Sequence, residues 1–117
     1  MTGLPIIVAA VNILTGLAFW GTTYAAARGR LKLNSWSGIR TSETMASPAA
    51  WQTAHSAALP WATIALCVGL VAAVITGVLV LNGASNRWAM IVACAGLVAI
   101  TVVALLMLCV AVETVRG

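Results

Sequence analysis

Three side chains in one connecting stretch could do chemistry: Arg40, Glu43 and His55. A guanidinium binds carboxylates, phosphates or helix-end carbonyls in a fixed fork. A carboxylate three residues on could pair with it. An imidazole near neutral pH can carry or accept a proton. No nucleophile–base pair, metal-ligand spacing or phosphate-binding loop accompanies them, so the chain reads as non-enzymatic, with no catalytic residue, metal or cofactor expected. The stretch reads first as an internal clamp, Arg40 tying the loop to Glu43 or to helix carbonyls with Trp51 and His55 packed beneath. It reads second as a polar pocket for a headgroup or peptide. Asn34, Ser35, Ser37 and Gly38 supply turn conformations, and Trp36 and Ile39 supply apolar anchors.

The elements that must position this stretch are almost pure hydrocarbon. Of 117 residues, 62% are hydrophobic and 7% charged, and mean hydropathy is +1.08. Soluble domains carry about 25% charged residues, so the solvent for this chain must be largely lipid. Three apolar runs are long enough to cross a bilayer, at about 4–27, 61–81 and 88–112. The fold class expected is an all-α membrane protein of one domain with three transmembrane helices. The first run lacks a basic segment ahead of it and is read as retained, not as a cleaved leader.

Between the first two runs, Ser47-Pro48 has the form of an N-cap followed by proline at the first helical position. A short interfacial helix over 48–59 is expected, placing Trp51 and His55 one turn apart on one face, with Pro60 kinking or ending it. A continuous helix over 48–81 would be about 50 Å long, more than the bilayer needs. Ala65, Gly69, Ala73 and Gly77 recur every fourth residue, a stripe that admits close approach of another helix, from this chain or a second copy. Asn82-Gly83-Ala84-Ser85-Asn86 reads as a tight turn between helices two and three. Asn12, polar at depth, is expected to hydrogen-bond to a neighbouring helix. Cys67, Cys94 and Cys109 have no ligand spacing and read as small buried hydrophobes. Glu113 and Arg116 read as a solvated ion pair.

Of the six cations, Arg28, Arg30, Lys32 and Arg40 lie in the first loop, giving a formal net charge of +4 against two carboxylates. By the positive-inside rule that loop is cytoplasmic, the amino terminus outside and the carboxyl terminus inside. Trp20, Tyr24, Trp36, Trp51 and Trp61 then lie at the cytoplasmic interface and Trp88 at the other. The basic cluster favours anionic lipid headgroups as partners, at about 1 kcal/mol per cation, over nucleic acid, which calls for a basic face on a soluble module.

The run Leu33-Asn34-Ser35-Trp36-Ser37-Gly38-Ile39-Arg40-Thr41, followed by Thr44, Ser47, Trp51 and His55, resembles the signature of the SdpI family of small bacterial membrane proteins. That signature reads approximately N-x-x-x-G-I-R-T, a short spacer, then W-x-x-x-H, and it covers 33–59 here. The chain departs from it at Ser56, Ala57 and Ala58, where family members often carry a basic residue and a glycine. The resemblance implies a multi-pass protein of the bacterial plasma membrane, with immunity to, or sensing of, a toxic peptide through the cytoplasmic loop. On it, Asn34, Gly38, Arg40, Thr41, Glu43, Trp51 and His55 are the candidate binding or clamping residues. The rival expectation is a small accessory subunit of a larger membrane complex, with a partner membrane protein or a second copy on the 65–77 stripe. A proton-coupled transporter is disfavoured because both carboxylates lie outside the apolar runs.

Overall fold

Three helices make up the computed structural model, which describes residues 3–34 and 38–116: α1 (Gly3–Ala27), α2 (Pro48–Leu81) and α3 (Asn86–Arg116). Each is long and apolar enough to span a membrane. They run up, down and up, with α2 packed against both neighbours over its length and α1 and α3 touching less. The molecule is 52 Å long and about half that across. Asn82–Ser85 joins α2 to α3, closed by the Asn82 side-chain amide donating to the Val78 carbonyl at 2.7 Å.

The interior is built from small residues at a spacing that alternates three and four. On α2 the buried line runs Trp51, His55, Ala58, Ala62, Ala65, Gly69, Ala72 and Thr76. On α1 it includes Pro5, Ala9, Asn12, Gly16, Thr23 and Ala26, and on α3 Ala89, Ala93, Gly96, Ile100, Met107 and Ala111. A repeat averaging 3.5 residues keeps one seam facing its neighbours if the helices cross at a shallow left-handed angle of about 20°. Small residues in that seam bring the backbones close, which is how helices associate where lipid removes the hydrophobic drive.

The large apolar side chains point the other way. Leu14, Val74 and Val98 are each about two-thirds exposed. Such a surface is incompatible with water and suited to acyl chains, so the chain is a multi-pass membrane protein. The cysteines follow the same rule. Cys67, Cys94 and Cys109 are exposed on the outer faces rather than buried, because the seam positions beside them are held by alanine, glycine and Met107.

The short helix expected over 48–59 forms, but not as a separate element. It is the first three turns of the 34-residue α2, and Pro60 sits inside that helix. Proline removes the N–H that would bond the Ser56 carbonyl. Yet Ala54, Ala58, Ala62 and Ala65 form one fully buried face across the break. Packing on both sides of Pro60 holds the axis continuous. The start of α2 is fixed by Ser47, whose Oγ accepts from the Ala50 N–H at 3.0 Å.

Half-way along, α1, α2 and α3 meet at Asn12. Its amide donates to the carbonyls of Val8 and of Ala93, both at 3.0 Å. This is the interhelical bond its polarity at depth foretells. Gly69 and Gly96 make room for it: a Cβ on Gly69 would come within 2.6 Å of the Asn12 carbonyl oxygen, and one on Gly96 within 2.5 Å of the Asn12 Oδ1.

Candidate functional site: a loop clamped to the second helix

At the end of the bundle opposite the Asn82 turn, the chain leaves α1 through Gly29, whose positive φ of 76° ends the helix. Arg30 and Leu31 both donate to the Ala25 carbonyl, at 2.8 and 3.0 Å. Trp20 stacks on Tyr24, and the Arg28 guanidinium lies 5.3 Å from the centre of the Tyr24 ring. The Asn34 amide donates to the Lys32 carbonyl at 2.7 Å. The expected anchoring role of Trp36, with its neighbours Ser35 and Ser37, lies outside the described residues.

From Gly38 onward the loop is pinned to the first turns of α2. Gly38 has φ +98°, and a Cβ there would meet the Trp51 ring at 2.6 Å and His55 Nε2 at 2.9 Å. Only glycine fits both the backbone conformation and the space. The next N–H, of Ile39, donates to His55 Nε2 at 2.9 Å. The other ring nitrogen, Nδ1, lies 2.7 Å from the Trp51 carbonyl oxygen. A backbone N–H can only donate and a carbonyl can only accept. His55 therefore carries its proton on Nδ1 and accepts at Nε2, a neutral ring with both nitrogens engaged. Trp51 and His55 are fully packed, ring centroids 4.3 Å apart. The Trp51 Nε1 donates to the Leu31 carbonyl at 2.9 Å, so one indole holds both ends of the loop.

Thr41 and Thr44 close the turn between them. The Thr41 N–H donates to Thr44 Oγ1 at 3.0 Å, and the Thr44 N–H donates to Thr41 Oγ1 at 3.1 Å. The buried Thr44 hydroxyl in turn donates to the Ile39 carbonyl at 2.7 Å. Ile39 is thus held on both sides of its peptide: N–H by His55, carbonyl by Thr44. Gln52, one residue past Trp51, donates to the Ala27 carbonyl at 3.1 Å and ties α2 to the end of α1.

The cation that meets Glu43 is Arg116, at the far end of the sequence, 3.1 Å from its carboxylate. Arg116 also approaches Glu113, at 3.8 Å, but the shorter pair is the one that joins loop to α3. The Glu43 backbone N–H, then Arg116 and the Ser42 hydroxyl, hold the Glu43 carboxyl below the usual carboxylate range. Arg40 is the one described residue of the G-I-R-T…T…S…W…H signature whose side chain is exposed. It stands at the mouth of a cleft of about 460 Å³ between α1 and α3, which is lined below by Thr22, Thr23 and Met107.

Gly38, Thr41, Trp51 and His55 therefore converge on one knot, Glu43 lies beside it, and Asn34 and Arg40 flank it. Ala65 and Gly69 are elsewhere, in the α1 seam, and Gly16 lies opposite, where a Cβ would meet the Leu66 Cα at 3.0 Å. Above Gly69 the seam passes to Ala72 and Thr76. An every-fourth stripe rotates by about 40° per step against a helix of 3.6 residues per turn. Ala73 and Gly77 consequently stand half-exposed beside an open groove, and nothing lies within 4 Å of a Cβ at Gly77. Sequence reasoning passed over Leu31, Gln52 and the cleft-lining threonines, and it paired Arg116 with Glu113 alone. The partners of Leu31, Gln52 and Arg116 are 20 to 73 residues away, and local spacing carries no signal for such pairings.

The model of the SdpI/YfhL protein family matches residues 30–112, which takes in the whole knot, α2 and most of α3. Neither the curated proteins nor the solved structures contain a match.

Proposed function

The chain belongs to the SdpI/YfhL protein family, and from that membership we propose a non-catalytic protein of the bacterial plasma membrane that confers immunity to, or senses, a toxic peptide. The observation that carries the non-catalytic part is the His55 knot. Both imidazole nitrogens are bonded to backbone groups, and the surrounding threonines are bonded to one another. A group so engaged shapes a surface; it does not shuttle protons. The four cations of the first loop favour a cytoplasmic position for that surface under the positive-inside rule, with the amino terminus outside.

Two experiments test this reading. Deleting the gene should lower survival against a secreted peptide from a competing strain, and unchanged survival against a broad panel of producers contradicts it. For the sidedness, Ser42→Cys in a background with the natural cysteines replaced should resist a membrane-impermeant maleimide in intact cells. Ready labelling would invert the topology.

A second reading, an accessory subunit of a larger membrane complex, is favoured by the open groove between α1 and α2. Its walls are Ile6, Ala10 and Ile13 on one side and Ala73, Gly77 and Leu81 on the other. Co-purification in mild detergent at fixed stoichiometry with another membrane protein supports that reading, and a lone species removes it.

A further inference from the structure

We propose that the cleft between α1 and α3 holds one anionic phospholipid, with its phosphate on Arg40 and an acyl chain between the helices. The proposal is independent of the immunity reading, since it concerns what the protein binds in the bilayer whatever peptide it meets.

The cleft is graded along its depth. The exposed Arg40 stands at its loop end beside Gly38 and the buried Ile39; Thr22 and Thr23 come next along α1; Ala18 and Phe19, one turn further, and Ala104, Met107 and Leu108 of α3 make an apolar remainder. A guanidinium above hydroxyls above hydrocarbon follows the order of phosphate, ester and acyl chain in a lipid. Basic pockets between transmembrane helices are a known chemistry for anionic headgroups. Charge complementarity supports the same occupant. Arg28, Arg30 and Lys32 lie in the same loop, and neither Glu43 nor Glu113 is among the residues that line the cleft. The clamp explains the rigidity: Ile39, next to Arg40, is fixed on both sides of its peptide by His55 and Thr44.

The shape selects a lipid over a membrane-spanning helix. Towards the middle of the bilayer α1 and α3 come together, Asn12 bonding the Ala93 carbonyl. The cleft is therefore closed below and cannot run the length of a span, as a docked helix requires. At about 460 Å³ it lies within the range of small-ligand sites, about 300–1,000 Å³, and Ala18 and Leu108 in its walls are exposed on the apolar outer surface of the bundle.

The test is native mass spectrometry of the full chain released from nanodiscs of equal phosphatidylglycerol and phosphatidylcholine. Wild type should retain one phosphatidylglycerol in preference to phosphatidylcholine. Arg40→Gln should lower that retention about tenfold, the loss of one charge-assisted phosphate contact. Arg30→Gln, which removes a cation from the same loop but not from the cleft, should lower it no more than about twofold, as diffuse attraction alone allows. Equal loss in the two variants would reduce the effect to loop charge and overturn the site. So would a wild type with no preference. Should Arg40→Gln fail to fold, a photo-crosslinking residue at Ala104 decides. A phospholipid adduct supports the proposal, and a protein adduct puts a partner helix in the cleft and overturns it.

Discussion

At the loop end of the bundle, Trp51, His55, Thr41 and Thr44 are joined in one set of hydrogen bonds, and Gly38 is so tightly enclosed that a methyl group would strike two rings. At the other end Gly77 faces open space, and α1 and α2 leave a groove between them. The two ends use the same small residues and the same helices. What separates them is polar chemistry. Within lipid an unpaired backbone group costs several kcal/mol. A loop that enters the bundle must therefore have each donor and acceptor met, and this fixes it in one conformation. At the opposite end the Asn82 turn bonds, among the described residues, only to the adjoining ends of α2 and α3, and α1 meets α2 through small residues, which leave a gap where the seam rotates away.

Substitutions that add a single methyl group probe the contrast most sharply. Gly38→Ala should destabilise the fold by about 3 kcal/mol, from a left-handed φ and an enclosed site together. Thermal or SDS-induced unfolding in micelles, followed by circular dichroism, measures it. A near-neutral result would mean the loop is not seated on Trp51. His55→Ala should come next, at about 2 kcal/mol, because it strands the Ile39 N–H and leaves a cavity. By the same unfolding measurement Gly96→Ala, at the Asn12 crossing, should lose about 1–2 kcal/mol as Ala72 and Asn12 give way. Gly77→Ala should then be neutral or stabilising by up to about 1 kcal/mol, since helical glycine only costs entropy there. If Gly77→Ala were as harmful as Gly96→Ala, the groove would be filled by something in the membrane.

The smallest effect expected is at the Glu43–Arg116 pair, which is largely exposed and so contributes little. Its sign is still defined. The carboxyl of Glu43 is held below its ordinary value, so its stabilisation is full above the unfolded-state value. It fades as the pH falls through the lower folded value. Glu43→Gln should therefore lower stability slightly at neutral pH, where the carboxylate is charged, and converge with wild type as the pH falls through that acid limb. A loss at pH 7 as large as that of His55→Ala would assign the ion pair a role in the clamp itself.

Much of this was legible beforehand, for identifiable reasons. Uninterrupted apolar runs announce spans by length alone, and Ser47-Pro48 announces a helix start because its cap chemistry is local. The shared face of Trp51 and His55 follows from one helical turn. The continuity of α2 through Pro60 was hidden, since it depends on alanines finding partners on other helices. The seam was hidden for a related reason. Alanine and glycine are so frequent here that both a four-residue stripe and a 3.5-residue repeat can be traced, and only the positions of the neighbouring helices select between them, Ala72 meeting Gly96 of α3 while Ala73 borders the open groove beside α1. The Ile39–His55 bond escaped because a backbone N–H leaves no mark on residue identity.

The proton on His55 is where the clamp can be tested most directly. Nitrogen-15 spectra of the imidazole at neutral pH should show a neutral ring protonated at Nδ1, with Nε2 accepting and a hydrogen-bond coupling to the Ile39 amide. A ring protonated at Nε2, or a doubly protonated imidazolium, could not accept from Ile39. Either would free His55 for a ligand and undo the reading of this knot as structural.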